Sequence, residues 1–288
     1  MKLKFRTALL AAAAFTLMAP SSFAALIVRT GTSTTAAGIT AARDGFRTDL
    51  GGGTTAGANG LFDNGISQRR EINWDGVPNG FSSPNSLPAD FFNVNSPRGA
   101  VFSTPGTGFQ VSATAASGTA VNFGNIDASY TSTFAPFSAE RLFTPIGSNV
   151  MDVNFFVPGT TQAGLTRGFG VIFSDVDTAS TTTMQFFNSN GVSLGVFNAI
   201  PILGSAGFSF LGAFFDDGTT PIARVRLTLG NTALGSGVTD NNSTRDLVVM
   251  DDFLFGSPVP EPGTWGTVSI GIALAAMLRK KLGSDRRA

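Results

Sequence analysis

The chain has 288 residues, 42% of them hydrophobic, with 19 Lys and Arg against 19 Asp and Glu and with neither His nor Cys. Without imidazole or thiol there is no Ser-His-Asp triad, no Cys nucleophile, no zinc site of the usual ligands, no haem held by His or Cys and no Cys-held iron–sulfur cluster. The neutral total hides a division: the four lysines are at 2, 4, 280 and 281, whereas residues 25–258 hold 11 Arg against 17 acidic residues, a net charge of −6.

A lysine-free, acidic body is a poor match for nucleic acid or anionic lipid, both of which demand a basic patch. It is compatible with divalent cations. With no disulfide available, whatever core it forms must hold by burial alone.

In chain order, Lys2, Lys4 and Arg6 form a positive start, Ala8 to Met18 an apolar run, and Ser22-Phe23-Ala24 a small-x-small cleavage site. Residues 1–24 are therefore expected to be a signal peptide with a short apolar helix, removed on export. Residues 25–98 read as an N-terminal helix and a loop-rich part. The helix is predicted over 39–50, where Ile39, Ala42, Phe46 and Leu50 share a face although Gly45 weakens it. The glycine-rich stretch 51–57 reads as a loop, and Arg69-Arg70 as a solvated strand edge. Trp74, in the turn Asn73-Trp74-Asp75-Gly76-Val77-Pro78, either plugs one end of the fold or offers a ring on which a sugar stacks. Residues 79–97, with Pro84, Pro88 and Pro97, read as a long ordered loop.

Residues 99–258 read as the β core. In 222–230, Ala223, Val225, Leu227 and Leu229 alternate with Arg224, Arg226 and Thr228, the pattern of a half-buried strand. Segments 182–187 and 192–197 flank Asn188-Ser189-Asn190-Gly191, a hairpin turn whose Asn-Gly tolerates positive φ. Further strands are predicted at 99–103, 108–113, 120–123, 141–143, 151–157, 168–174, 208–215 and 246–255. This spacing predicts an all-β fold, a two-sheet β-sandwich of the jelly-roll type.

Acidic residues carry the remaining chemistry. Asp175 and Asp177 follow the strand 168–174, Asp216-Asp217 follow 208–215, Asp240 sits in a loop, and Asp251-Asp252 lie inside the last strand. Adjacent strand residues point to opposite faces, so unless a bulge intervenes one of Asp251 and Asp252 points into an apolar layer. A buried carboxylate there needs a cation or several hydrogen bonds. A structural Ca²⁺ held by Asp175, Asp177, Asp251 or Asp252 is one answer; Arg141, Arg224 or a row of backbone N–H groups is the other. Two carboxylates can also cleave a glycoside, but outside the tail the body offers only Trp74 and Tyr130 besides Phe as sugar platforms, which weighs against a glycosidase.

Residues 259–288 form a distinct tail. Pro260-Glu261-Pro262 precedes an uncharged stretch from Thr264 to Leu278, followed by Arg279-Lys280-Lys281 and Arg286-Arg287. Fifteen residues would rise about 22 Å as a helix, short of the roughly 30 Å hydrocarbon core. The basic end would stay cytoplasmic and the body outside. These three ordered elements closely resemble the PEP-CTERM sorting signal of exported bacterial surface proteins. The resemblance covers about a tenth of the chain. It implies recognition of Pro260, Glu261 and Pro262 by an exosortase-type enzyme in the inner membrane, and an address at the cell surface or in a polysaccharide matrix. It implies no activity for the body. The expected function is thus that of a sorted surface or matrix protein without catalysis, the alternative being a carbohydrate-binding or calcium-dependent module acting on extracellular polysaccharide.

Overall fold

The computed structural model describes residues 26–53, 59–64, 68–241 and 243–261. The expected signal segment, Pro262 and the apolar tail lie outside the described residues. Among the described residues, no helix is long and apolar enough to cross a membrane.

The elements run β1 (Ile27–Ser33), α1 (Ala36–Leu50), β2 (Arg69–Ile72), α2 (Phe91–Val94), β3 (Ala100–Ser103), β4 (Gly108–Val111), α3 (Tyr130–Thr133), β5 (Phe143–Ile146), β6 (Val150–Phe155), β7 (Gly164–Leu165) and β8 (Gly168–Ser174). They continue with β9 (Thr183–Phe187), β10 (Ser193–Asn198), β11 (Phe208–Phe214), β12 (Arg224–Thr228), β13 (Val249–Gly256) and β14 (Val259–Pro260). One sheet orders its strands β1-β11-β8-β13-β5-β4, with β2 also on β13; a second runs β10-β9-β12-β6-β3; β14 and β7 form a small ladder. The paired strands are antiparallel throughout.

The two larger sheets share one apolar core. Phe102, Val153, Phe155, Phe186, Val225 and Leu227 from the five-stranded sheet are in one cluster with Phe143, Phe169, Val171, Phe173, Phe253 and Phe255 from the other. The outer face of the seven-stranded sheet is covered as well. Ile39, Phe46 and Leu50 of α1 pack on Ile172, Phe210, Phe214 and Leu254, and Phe123, Tyr130, Phe134 and Leu142 pack over Leu247 and Val249. Being covered on both faces, β8, β11 and β13 are buried at every position, which is why they read as nearly unbroken apolar runs. Strands β6 and β12, with one face toward solvent, alternate.

Helix α1 starts where Thr35 accepts a hydrogen bond from the Gly38 N–H at 3.2 Å, an N-cap that satisfies one of the otherwise unpaired donors of the first turn. Its Phe46 ring sits over a glycine pair: Gly212 and Gly170 face each other across β11 and β8. A Cβ at Gly170 would lie 2.6 Å from Phe46 Cε1, and one at Gly212 would lie 2.8 Å from its Cδ2.

Several expected elements differ. Residues 120–123 make only an isolated bridge between Ala113 and Val121. The strand expected at 141–143 is shifted to β5, and that at 246–255 begins at Val249. The segment 79–97 carries a 3₁₀ turn at Asn79–Phe81 and the short helix α2. Arg69 and Arg70 are no solvated edge: they are 2% and 1% exposed. Arg69 Nε donates to Glu71 and Nη1 to the Arg47 carbonyl, while Arg70 donates to Ser257 Oγ and the carbonyls of Gly60 and Leu61. Carbonyls from other segments and the carboxylate of Glu71 in the same strand thereby replace the water these guanidinium groups would lose.

Candidate metal centre

Asp175, Val176 and Asp177 leave β8 at one end of the fold. Val176 enters the shared core and anchors the turn. The segment joining β10 to β11 wraps around it: the Ile202 N–H donates to the Val176 carbonyl at 2.8 Å and the Asp175 N–H to the Gly207 carbonyl at 2.8 Å. Asp175 has φ 76°, in the left-handed region that Asp tolerates better than most residues.

Both carboxylates are buried, Asp175 at 0% exposure and Asp177 at 4%. One oxygen of each is held by that wrapping segment: Asp175 Oδ1 accepts from the Ala206 N–H and Asp177 Oδ1 from the Gly204 N–H, both at 3.1 Å. Asp175 Oδ2 and Asp177 Oδ2 are buried with no hydrogen-bond partner among the described residues. A third carboxylate arrives from the connection between β12 and β13. Asp240, half-buried, accepts from the Leu247 N–H at 2.6 Å through Oδ2. Asp175, Asp177 and Asp240 each bring one oxygen into a group whose members all lie within 4.8 Å of one another. Asp246 stands beside them, accepting from the Asp177 N–H at 3.0 Å and from the Thr181 hydroxyl.

The electrostatics follow from this crowding. Burial pushes the Asp175 carboxyl up to about 8, with the charges of Asp177, Asp240 and Asp246 adding to the shift and the Ala206 N–H opposing it. Asp177 is raised for the same reasons, burial first and Asp240 next, against the Gly204 N–H. Buried like charges disfavour ionisation unless a cation or a proton joins them.

Asp251 and Asp252 belong to a different arrangement, so the four acids expected to share an ion do not converge. The register of β13 against β8 shifts between Met250 and Phe253. That bulge keeps both Met250 and Phe253 in the shared core and frees the two intervening carboxylates from pointing into it. Asp251 Oδ2 accepts from the N–H groups of Phe137 at 2.6 Å and Ser138 at 3.2 Å. The Ser138 hydroxyl lies 3.1 Å from Asp251 Oδ1 and 3.2 Å from Asp252 Oδ1, and Asp252 pairs with Arg43 of α1 at 3.3 Å. The row of backbone N–H groups expected for such a pair is present; the arginine is Arg43, in place of Arg141 or Arg224. Burial, then the charge of Asp252, holds the Asp251 carboxyl well above the usual range.

Trp74 does not present a ring to a sugar. It is 1% exposed, stacked on Phe143 with centroids 3.9 Å apart and met edge-on by Phe92 and Phe253. Its indole N–H donates to the Asp251 carbonyl at 2.9 Å. Although a recess lined by Val77, Phe91 and Arg98 touches it, its faces are taken by the core.

Of the residues expected to form a sorting motif, Pro260 pairs with Gly164 in the β14–β7 ladder, and Glu261 is exposed at the rim of a recess shared with Asn154, Asn188 and Arg224. Pro262 lies outside the described residues. Asp240 was visible in the sequence only as one loop acid among several; nothing local marks it as the partner of Asp175. No known family matches the chain, and comparison with curated proteins gives no match either.

Proposed function

We propose that the chain is an exported, exosortase-sorted protein of the cell surface or extracellular matrix, whose folded part is a β-sandwich of jelly-roll type with no catalytic role. The observation that carries this is the order Pro260-Glu261-Pro262, uncharged stretch, basic end. Each part has a physical task. The prolines break any helix entering from the body and leave Glu261 extended, the apolar stretch partitions into hydrocarbon, and the cations set its orientation. The placement of the motif supports the same reading. Val259 and Pro260 are tied to the body through β7, and Glu261, next in the chain, is exposed and so accessible to an enzyme.

In a bacterium that carries the sorting enzyme, a Pro260→Ala, Glu261→Ala variant is expected to accumulate in the inner membrane at full length while the wild type reaches the surface fraction. Sorting of the variant at the wild-type level would overturn the proposal.

A further inference from the structure

We propose that Asp175, Asp177 and Asp240 bind one divalent cation, Ca²⁺, which ties together the three connections that meet at this end of the fold. The inference is independent of the sorting signal.

Three observations carry it together. The acids come from separate connections, after β8 and between β12 and β13, and the two that follow β8 are gripped by the connection between β10 and β11. Their oxygens fit one ion: two ligands bound to Ca²⁺ at about 2.4 Å stand no more than about 4.8 Å apart, and the three carboxylates lie within that separation. Finally, Asp175 Oδ2 and Asp177 Oδ2 are buried and lack partners. The backbone N–H groups that could have neutralised these carboxylates are spent on the Oδ1 atoms, so the remaining oxygens have a donor-free environment that a cation completes.

The donor set selects the ion. Carboxylate oxygen without nitrogen or sulfur suits a hard cation. Ca²⁺ accepts six to eight oxygens in flexible geometry, whereas Mg²⁺ demands a near-ideal octahedron at about 2.0–2.1 Å. Asp240 is the half-buried member, marking the side through which the ion and its remaining water ligands enter. Once bound, the cation cross-links segments 199–207 and 231–247 to the end of β8, so its removal should loosen those segments before it disturbs the sheets.

The test is calorimetric titration of the full chain, stripped with chelator at pH 7.5, with CaCl₂ and separately with MgCl₂, alongside thermal unfolding and limited trypsin digestion. The body has no lysine, so trypsin cuts it only after arginine, and Arg245 lies in the 231–247 segment. The expected result is one Ca²⁺ per chain with half-saturation in roughly the 0.1–1 mM range of extracellular calcium modules, a rise in unfolding midpoint, and slower cleavage after Arg245. Asp177→Asn should weaken binding at least tenfold. So should Asp240→Asn, which alters a half-buried side chain and tests the site even where an Asp177 variant folds poorly. No heat and no midpoint shift at 10 mM Ca²⁺ would overturn the proposal, leaving a proton on Asp175 as the neutralising charge. Binding that survives both substitutions would overturn it too, placing the ion elsewhere, as would a site that takes Mg²⁺ as tightly as Ca²⁺.

Discussion

A carboxylate is a turn cap, half of an ion pair or a metal ligand according to what else reaches it, and the two acidic pairs of this protein separate on that point. Asp251 and Asp252 are served by Phe137, Ser138 and Arg43, whereas Asp175 and Asp177 each keep one buried oxygen without a donor. The first pair makes a pH prediction. The folded state holds the Asp251 carboxyl well above its ordinary value, so above about pH 4, where the unfolded chain loses this proton, the folded chain keeps it. The native state then binds more protons than the unfolded one, and stability falls as pH rises from there until Asp251 itself ionises in the folded state. Asp251→Asn preserves the size of the side chain but cannot lose a proton. Between pH 5 and 8 its stability should fall less steeply than that of the wild type, by up to about 1.4 kcal/mol per pH unit. Urea unfolding across that range measures it, and parallel curves would show that Asp251 is already ionised in the native state. How these pairs resolve was only half legible. The possibility of a bulge at Asp251-Asp252 follows from strand alternation, but the choice of Arg43, 209 residues away from its partner Asp252, is made by where α1 docks. Asp240 likewise meets Asp175 only through the closing of a loop.

Among elements, the legible ones are those whose period matches their burial. Strand β12 and the β9–β10 hairpin were predictable because one face is wet and the other apolar. Strand β8 matches its expected bounds because a continuous apolar run is what a strand covered on both faces requires. Strand β1 was not predicted: its sequence IVRTGTS is mostly exposed at the edge of its sheet, and its order comes from pairing with β11 and from α1. Arg69-Arg70 read as a strand edge, as β2 is, but its burial was not legible because it depends on carbonyls from residues 47, 60 and 61. The docking of α1 gives a direct prediction. A methyl at Gly170 would overlap the Phe46 ring, and overpacking of this kind costs about 1–3 kcal/mol. Gly170→Ala should destabilise by that amount, and Phe46→Leu should absorb part of the cost, so that the double variant loses less than the two singles together. Strict additivity in denaturant unfolding would mean that the ring and the glycine do not share the space.

For the whole molecule, the sequence sets an apolar, basic-ended tail apart from an acidic body. The all-β character was legible from alternation and turn residues, and the two sheets with their common Phe-rich core agree with it. The order in which strands pair was not, because β13 joins β8, β5 and β2 at once, and pairing across such sequence distances leaves no local trace. The body's chemistry narrows by composition: without His, Cys or internal Lys, carboxylates are what remain, and among the described residues three of them come together where three loops meet. The proposed destination rests on residues 259–288. The most direct test is the intact mass of the protein recovered from the cell surface or medium. A mass corresponding to a chain that begins at Ala25 and ends close to Glu261 is the predicted result. A protein that retains its basic C-terminus would contradict it, and would make the tail a plain membrane anchor.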